Sequence, residues 1–137
     1  MTNQATHTKS PSLTPYLAVK DASLAMEFYR RAFEAVEIYR LNDPDGRVSH
    51  AEMRFGSWPI FISDEYPEIS VFGPQTLGGS PVMLVLEVAD VDKIFAQAVE
   101  AGAIVDRPLQ DSFEGGLRNG KLIDPFGHRW MILTRLA

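Results

Sequence analysis

The pattern of apolar and polar positions occurs twice along the chain. An alternating, strand-like segment over residues 13–19 precedes an apolar run with helical period, and residues 82–88 precede a second such run. Both helical runs follow the pattern valine, any residue, aspartate, and the two valines, Val19 and Val88, stand 69 positions apart. This period is too long for the usual solenoid repeats, so it predicts two equivalent halves.

Each half is predicted to contain a strand, a helix and three further strands. Asp21 fits the N-cap of a helix from Ala22 to about Phe33. A second helix is predicted over residues 91–101, with Gly102 as the residue that ends it. The alternating segments that follow the helices predict strands over residues 36–41, 47–55, 58–63, 104–107, 120–123 and 129–135.

These elements predict an α+β fold made of two βαβββ modules. The chain has 137 residues, the size of one compact domain, so we interpret the modules as halves of a single domain. Module one covers residues 12–63, and module two covers residues 81–137. Residues 64–80 contain Pro and Gly clusters without any period and are expected to be a linker. Residues 1–11, rich in Ser and Thr, are expected to be a disordered tail.

Composition excludes several classes of function. A formal net charge of −5 disfavours a nucleic-acid-binding surface, which needs clustered Lys and Arg. The chain has no cysteine, which excludes disulfides, thiol nucleophiles and cysteine-based metal sites. No apolar run approaches the ~20 residues of a membrane-spanning helix, and no signal peptide follows Met1. We therefore expect a cytoplasmic protein without a membrane partner.

Five sequence segments carry a more specific signal. They are Pro15–Asp21, Glu27–Phe33, His50–Met53, Ser63–Glu65 and Asp124–Trp130. In order and spacing they resemble the vicinal oxygen chelate superfamily of glyoxalases, extradiol dioxygenases, fosfomycin-resistance enzymes and bleomycin-binding proteins, and more narrowly its PhnB-like branch. The resemblance implies that each module curls into a mixed sheet with helices on the convex face, and that paired modules enclose a cup. It also implies a homodimer.

The metal-dependent members of that superfamily take ligands from the first and last strands of each module. Carried over by spacing, those positions are Thr14, Ile60, Met83 and Met131. None offers the imidazole or carboxylate donors that a divalent metal of this kind needs. We therefore expect no metal and no other cofactor.

His50 and Glu52 are the candidate catalytic residues. They lie two apart on one predicted strand, so both side chains project from the same face. One interpretation makes them an acid–base pair or part of a metal site, completed by Glu87 from the other module. The other makes them ordinary polar strand positions. His128, in the turn before the last strand, is expected to make a structural hydrogen bond, and Glu114 to Gly120 are expected to form a loop at the mouth of the cup.

The cup itself is predicted to be apolar and aromatic. Alternation along the strands directs a set of candidate ligand-binding residues inward: Tyr16, Trp58, Ile60, Met83, Val85, Glu87 and Met131. Met, Trp and Tyr suit an apolar or aromatic ligand, although such side chains also commonly fill a core. The carboxylates of Glu52 and Glu87 would favour neutral or cationic ligands.

The leading hypothesis from the sequence is a metal-free protein that binds and sequesters a small apolar or aromatic molecule, as drug-resistance proteins do, without catalysing a reaction. The alternative is a metal-dependent or acid–base lyase, isomerase or dioxygenase that uses His50 and Glu52. A third possibility is a dimeric interaction module whose inward Met and Trp side chains simply fill the cup.

Overall fold

The computed structural model describes residues 10–112 and 115–136. The strands are β1 (Tyr16–Val19), β2 (Val36–Asn42), β3 (Val48–Phe55), β4 (Trp58–Asp64), β5 (Met83–Glu87), β6 (Ile104–Asp111), β7 (Leu117–Ile123) and β8 (Arg129–Arg135). The helices are α1 (Ala22–Phe33), α2 (Pro74–Leu77) and α3 (Val91–Ala101), with a 3-10 turn at Pro67–Ile69. Residues 1–9 of the predicted tail lie outside the described residues. No helix in the described ranges is long and apolar enough to cross a membrane.

Local signals explain why the two main helices begin and end as predicted. The carboxylate of Asp21 accepts a hydrogen bond from the Leu24 amide at 3.1 Å, and Asp90 accepts one from the Lys93 amide at 3.1 Å. Each aspartate thereby pairs one of the free amides of the first helical turn. Gly102 ends α3 with a positive φ, as expected for this position.

Each module forms its own four-stranded mixed sheet. The strand orders are β1-β4-β3-β2 and β5-β8-β7-β6, with β1 parallel to β4, β5 parallel to β8, and the other neighbours antiparallel. The predicted α+β fold of two βαβββ modules is confirmed. Strands β1 and β5 each have one unpaired edge, because each lies at the end of its sheet.

The two sheets share one core on the faces that carry the helices. Phe55 of β3 stacks on Trp130 of β8 with 5.5 Å between ring centroids, and Phe33 of α1 lies 4.7 Å from the same indole. The buried cluster draws on both modules without interruption. The opposite faces, which we call the cup faces, carry exposed apolar side chains such as Tyr16, Tyr39 and Val85. A single chain therefore leaves its two cup faces open to solvent.

Asp124 joins the modules inside this core. Its Oδ2 accepts hydrogen bonds from the Tyr29 hydroxyl at 2.5 Å and from Trp130 Nε1 at 2.9 Å, while Oδ1 accepts the amides of Phe126 and His128. The aspartate is only 2% exposed. Tyr29 belongs to module one, so this carboxylate fixes one half to the other. Burial and the neighbouring carboxylate hold the pKa of Tyr29 well above its ordinary value.

The predicted hydrogen bond of His128 is confirmed, because its Nε2 lies 3.0 Å from the carbonyl oxygen of Ala18 in β1. One other prediction needs correction. The segment predicted as a loop over Glu114 to Gly120 belongs to β7 from Leu117 onward, while Glu114 lies outside the described residues. The stretch predicted as a linker between the modules contains α2 and the 3-10 turn. Its Gly73 packs against the Ala18 carbonyl, and Pro74 packs against Gly127.

Candidate functional site

A groove with a volume of about 810 Å³ opens between the two modules. One wall is formed by the β3–β4 hairpin and by Leu13 and Pro15 before β1. The other wall is the edge strand β5 and the chain that follows it to Asp90. The deeper lining is apolar and comes from core residues of both modules: Phe33, Phe55, Ile60, Leu84, Leu86, Ile94 and Trp130. A concave apolar space of this size is suited to a small organic molecule.

Charged side chains lie at the rim of the groove, where they form ion pairs with one another. Glu87 Oε2 lies 3.0 Å from Arg135 Nε, and Glu34 lies 3.6 Å from Lys93. The carboxylate of Glu52, on the cup face of module one, is paired with Arg54 at 3.1 Å. The carboxylates of Glu52 and Glu87 are both paired with arginine. They would therefore attract a cationic ligand only weakly.

The structure divides the predicted ligand-binding residues between two places. Trp58, Ile60, Val85 and Glu87 line the groove. Tyr16, Met83 and Met131 do not line it; like Val85, they lie on the cup faces. Trp58 is 77% exposed at the tip of the β3–β4 hairpin, so its indole offers contact area at the entrance.

The predicted inward orientation of Ile60 is wrong. Ile60 pairs across the sheet with Met53, and directly paired residues share a face, so Ile60 points into the common core and is 7% exposed. Phe61 points to the cup instead and contacts Tyr16, with 5.6 Å between ring centroids. Ile60 reaches the groove because the groove is open to the core at this point.

The cause of this error is a difference in turn length between the modules. Gly56 and Ser57 form a two-residue turn between β3 and β4, since Phe55 pairs directly with Trp58. Five residues, 124–128, separate the paired ends Ile123 and Arg129 of the β7–β8 hairpin. The spacing that gave Ile60 and Met131 counts from Gly56 and Gly127, and these two glycines lie at different points of their turns. Strand pairing makes Phe61, not Ile60, the counterpart of Met131.

His50 lies in an aromatic cluster on the cup face of module one. Its Nδ1 is 2.5 Å from the Tyr16 hydroxyl, and its ring lies 4.8 Å from Phe61 and 5.7 Å from Tyr39. Partial burial raises the pKa of Tyr16 above its ordinary value, and the nearby Tyr39 adds to the rise. The hydroxyl thus stays protonated at neutral pH and is available as a hydrogen-bond donor.

The expected donors for a metal do not come together. Within residues 10–112 and 115–136, no group of three or more His, Asp or Glu side chains could hold a metal ion, so His50, Glu52 and Glu87 do not form a shared site. At the four positions carried over from the superfamily, Ile60 points into the core, and Thr14, Met83 and Met131 offer neither imidazole nor carboxylate. Phe61, which replaces Ile60 in the corrected register, is no better. The residues present therefore do not fit a divalent metal.

Sequence reasoning missed most of the apolar lining of the groove. Phe33, Phe55, Leu84 and Trp130 follow the helical or strand periodicity of ordinary core residues, and that is also what they are. Only the packing of one module against the other leaves a gap beside them. The periodicity of a single strand or helix contains no signal for such a gap.

Comparison with known proteins agrees with this architecture. The model of the Glyoxalase/Bleomycin resistance protein/Dioxygenase superfamily matches residues 6–132. An uncharacterized protein of Mycobacterium bovis, Mb0911c, is 42% identical over 125 residues, which cover 89% of this chain and 82% of that protein.

Three solved structures are also similar. TioX from Micromonospora sp. ML1 has a TM-score of 0.72 and 26% identity, covering 93% of this chain and 100% of that one. A PhnB protein from Bacillus cereus has a TM-score of 0.69 and 18% identity, with coverage of 90% and 99%. A point mutant of the fosfomycin resistance protein FosX from Listeria monocytogenes, in complex with Mn(II) and 1S,2S-dihydroxypropylphosphonic acid, has a TM-score of 0.68 and 17% identity, with coverage of 91% and 90%. The last two likenesses show a shared fold.

Proposed function

The chain belongs to the glyoxalase/bleomycin resistance protein/dioxygenase superfamily, and from this premise we propose that it binds and sequesters a small apolar or aromatic molecule without a metal. The groove between the modules is the observation that carries the proposal. Membership of the superfamily agrees with the resemblance inferred from the sequence. The superfamily contains both enzymes and binding proteins, so the choice between them depends on the residues of the site.

The lining of the groove supports binding of an apolar ligand. Aromatic walls from Phe33, Phe55 and Trp130 offer flat surface, and the indole of Trp58 stands at the entrance. Aromatic side chains supply large contact areas at low cost in conformational entropy. The ion pairs Glu87–Arg135 and Glu34–Lys93 at the rim would keep the entrance hydrated and direct the apolar part of a ligand inward.

The residues also support binding in preference to catalysis. The superfamily's four ligand positions lack metal donors, and the groove is lined mainly by hydrocarbon and aromatic rings. Such a surface stabilises an apolar molecule by removing it from water, and this does not require a developing charge in the ligand. The open groove beside Trp58 argues against an interaction module whose Met and Trp side chains fill all the space.

A fluorescence titration with Nile red, an uncharged aromatic dye, tests the groove. We expect one dye molecule per chain and a blue-shifted emission. Trp58→Ala should weaken binding by about tenfold, because it removes an aromatic anchor at the entrance. Ile69→Ala is the matched control: Ile69 is similarly exposed, at 69%, but does not line the groove. Equal affinity of both variants, or no dye binding by the wild-type protein, would refute the proposal.

A second candidate function, acid–base catalysis on the cup face of module one, rests on the contact between Tyr16 and His50. A phenol and an imidazole at this distance can exchange a proton. The variant His50→Ala tests the metal-dependent form of this alternative, with metal content as the readout; Nile red affinity should stay unchanged, because His50 does not line the groove. Unchanged metal content would refute that form of the alternative. Loss of a stoichiometric metal ion in the variant would support it.

We also propose that the protein is a homodimer. Exposed apolar side chains on the cup faces, including Val36, Tyr39 and Leu41 of β2, form surface that a monomer would leave in water. Sedimentation equilibrium should give a mass near twice the 15.3 kDa of the chain. A single species at the mass of one chain would rule the dimer out.

A further inference from the structure

One wall of the groove is the edge of a strand. All seven residues from Leu84 to Asp90 line the groove. Side chains of a strand alternate between its two faces, so a run of consecutive lining residues indicates that the edge of β5, and not one face, borders the space. β5 pairs with β8 on one side, and its other side has no neighbouring strand within residues 10–112 and 115–136.

The backbone groups on this edge are free to bind. The Val88 amide donates to the Leu133 carbonyl of β8 at 2.8 Å. Alternate residues of a parallel strand direct their amide and carbonyl to the same neighbour, so the amides and carbonyls of Val85 and Glu87 point away from β8. The groove therefore offers two N–H donors and two C=O acceptors along one wall.

The other strands at the ends of the two sheets are protected against pairing. On the free edge of β1, the equivalent strand of module one, the Ala18 carbonyl accepts a hydrogen bond from His128 Nε2 at 3.0 Å, and Gly73 packs against the same carbonyl. Shifts of register interrupt β2 and β6, and β6 also contains Pro108. Such features prevent an added strand from pairing. β5 pairs with β8 without a shift of register and contains no proline.

The charges at the groove favour an uncharged occupant. Glu87 pairs with Arg135 and Glu34 with Lys93, while the Asp90 carboxylate accepts the Lys93 amide. Because these charges are already paired with one another, an ion would gain little from them. The amides of a peptide backbone provide donors and acceptors without a net charge, and they complement a free strand edge.

We propose that the groove binds an uncharged, extended peptide, which adds a strand to the free edge of β5. This inference rests on the groove being the binding site, as proposed above, and specifies the class of ligand. The backbone of the peptide pairs with Val85 and Glu87, and every second side chain enters the apolar space beside Phe33, Phe55 and Trp130. The β3–β4 hairpin bounds the other side of the groove, which favours a single chain over the edge of a second sheet.

Isothermal titration with the capped peptide acetyl-Thr-Leu-Thr-Leu-Thr-amide tests the proposal. We expect one peptide per chain and displacement of Nile red. A version of this peptide with N-methylated backbone amides is more apolar but cannot donate to the strand edge. It should bind at least tenfold more weakly, because paired backbone hydrogen bonds contribute about that factor.

Two variants of one residue separate the backbone from the side chain. Val85→Pro removes the N–H on the free edge and leaves the hydrogen bonds to β8 intact, as an edge strand tolerates. It should weaken the peptide by about tenfold. The matched control, Val85→Ala, keeps the N–H and should change the affinity by less than about threefold. Both variants should still bind Nile red, and circular dichroism checks that both fold.

Hydrogen exchange measured by NMR gives a readout that needs no variant. With saturating peptide, the amides of Val85 and Glu87 should exchange at least about ten times more slowly, whereas those of Leu84 and Leu86, which face β8, should change little.

The outcomes distinguish this inference from the proposed function. Binding of Nile red without binding of the peptide, equal affinity for the N-methylated peptide, or unchanged exchange at Val85 and Glu87 would overturn the inference and leave the groove as a site for other apolar molecules. Failure of both ligands to bind would refute both. If no peptide binds and Val85→Pro converts a dimer into a monomer, a second copy of the chain occupies the edge, which also overturns the inference.

Discussion

The β3–β4 and β7–β8 hairpins lie at equivalent points of the two modules but have different roles in the molecule. The β3–β4 turn is short and exposed, Gly56 has no neighbour within 4 Å of an added Cβ, and the hairpin presents Trp58 to the groove. The β7–β8 turn is longer and holds the buried Asp124, which joins the modules. In this duplicated fold, one copy of the hairpin lies at the candidate binding site, and the other copy stabilises the whole domain.

Removing the carboxylate of Asp124, in the β7–β8 turn, should cause the largest loss of stability. Asp124→Ala leaves the Tyr29 hydroxyl, the Trp130 indole and two backbone amides without their acceptor in the core. Each buried unpaired donor is costly, so we expect the free energy of unfolding to fall by about 3–5 kcal/mol. Urea denaturation followed by circular dichroism measures it. A loss below about 1 kcal/mol would mean that the carboxylate does not hold the modules together.

Alanine at each turn glycine compares the two hairpins directly. Gly127 has φ +93° and would place a Cβ 2.8 Å from the Cβ of Pro74, whereas Gly56 has φ +63° and open space around it. A left-handed backbone costs a non-glycine residue about 1–2 kcal/mol, and only Gly127→Ala adds a steric clash. We expect Gly127→Ala to lower the free energy of unfolding by about 2–3 kcal/mol and Gly56→Ala by about 1 kcal/mol. Thermal unfolding tests the order, and equal losses would contradict the account.

Tyr29→Phe should cause an intermediate loss of stability, because it removes one hydrogen bond to Asp124 and keeps the aromatic packing. We expect a loss of about 1–2 kcal/mol of unfolding free energy. Tyr29 is on α1, so hydrogen exchange at the start of β8 provides a second readout in the other module. Faster exchange confined to module one would show that the contact does not join the two halves.

Trp58→Ala should have the smallest effect on stability. The side chain is exposed at the hairpin tip, so the change in unfolding free energy should stay within about 0.5 kcal/mol, while Nile red binding falls. The same urea titration checks this. A large destabilisation would assign the β3–β4 hairpin a structural role like that of the β7–β8 turn and remove the contrast between them.

Local signals in the sequence are sufficient for much of the fold. Asp21, Asp90 and Gly102 mark helix boundaries through contacts within a few residues, and the structure places α1 and α3 within the predicted limits. The orientation of Ile60 depends on the number of residues in a turn, which apolar alternation does not reveal. The pairing of Ile60 with Met53, which is buried on the core side of β3, fixes the correct orientation, and only the structure reveals that pairing.

The candidate sites were less accessible from the sequence, since they depend on contacts between distant segments. The groove exists because β5 and the β3–β4 hairpin meet across the module boundary. The apolar pattern of either segment alone does not show that the two segments meet.

Native mass spectrometry of the protein purified from its own host tests the central claim most directly, because one spectrum reports both organic and metal adducts. The account predicts that the wild-type chain carries a small organic molecule and no divalent metal, and that Trp58→Ala, purified in the same way, loses the organic adduct. A spectrum with one divalent metal ion per chain and no organic adduct would contradict the account.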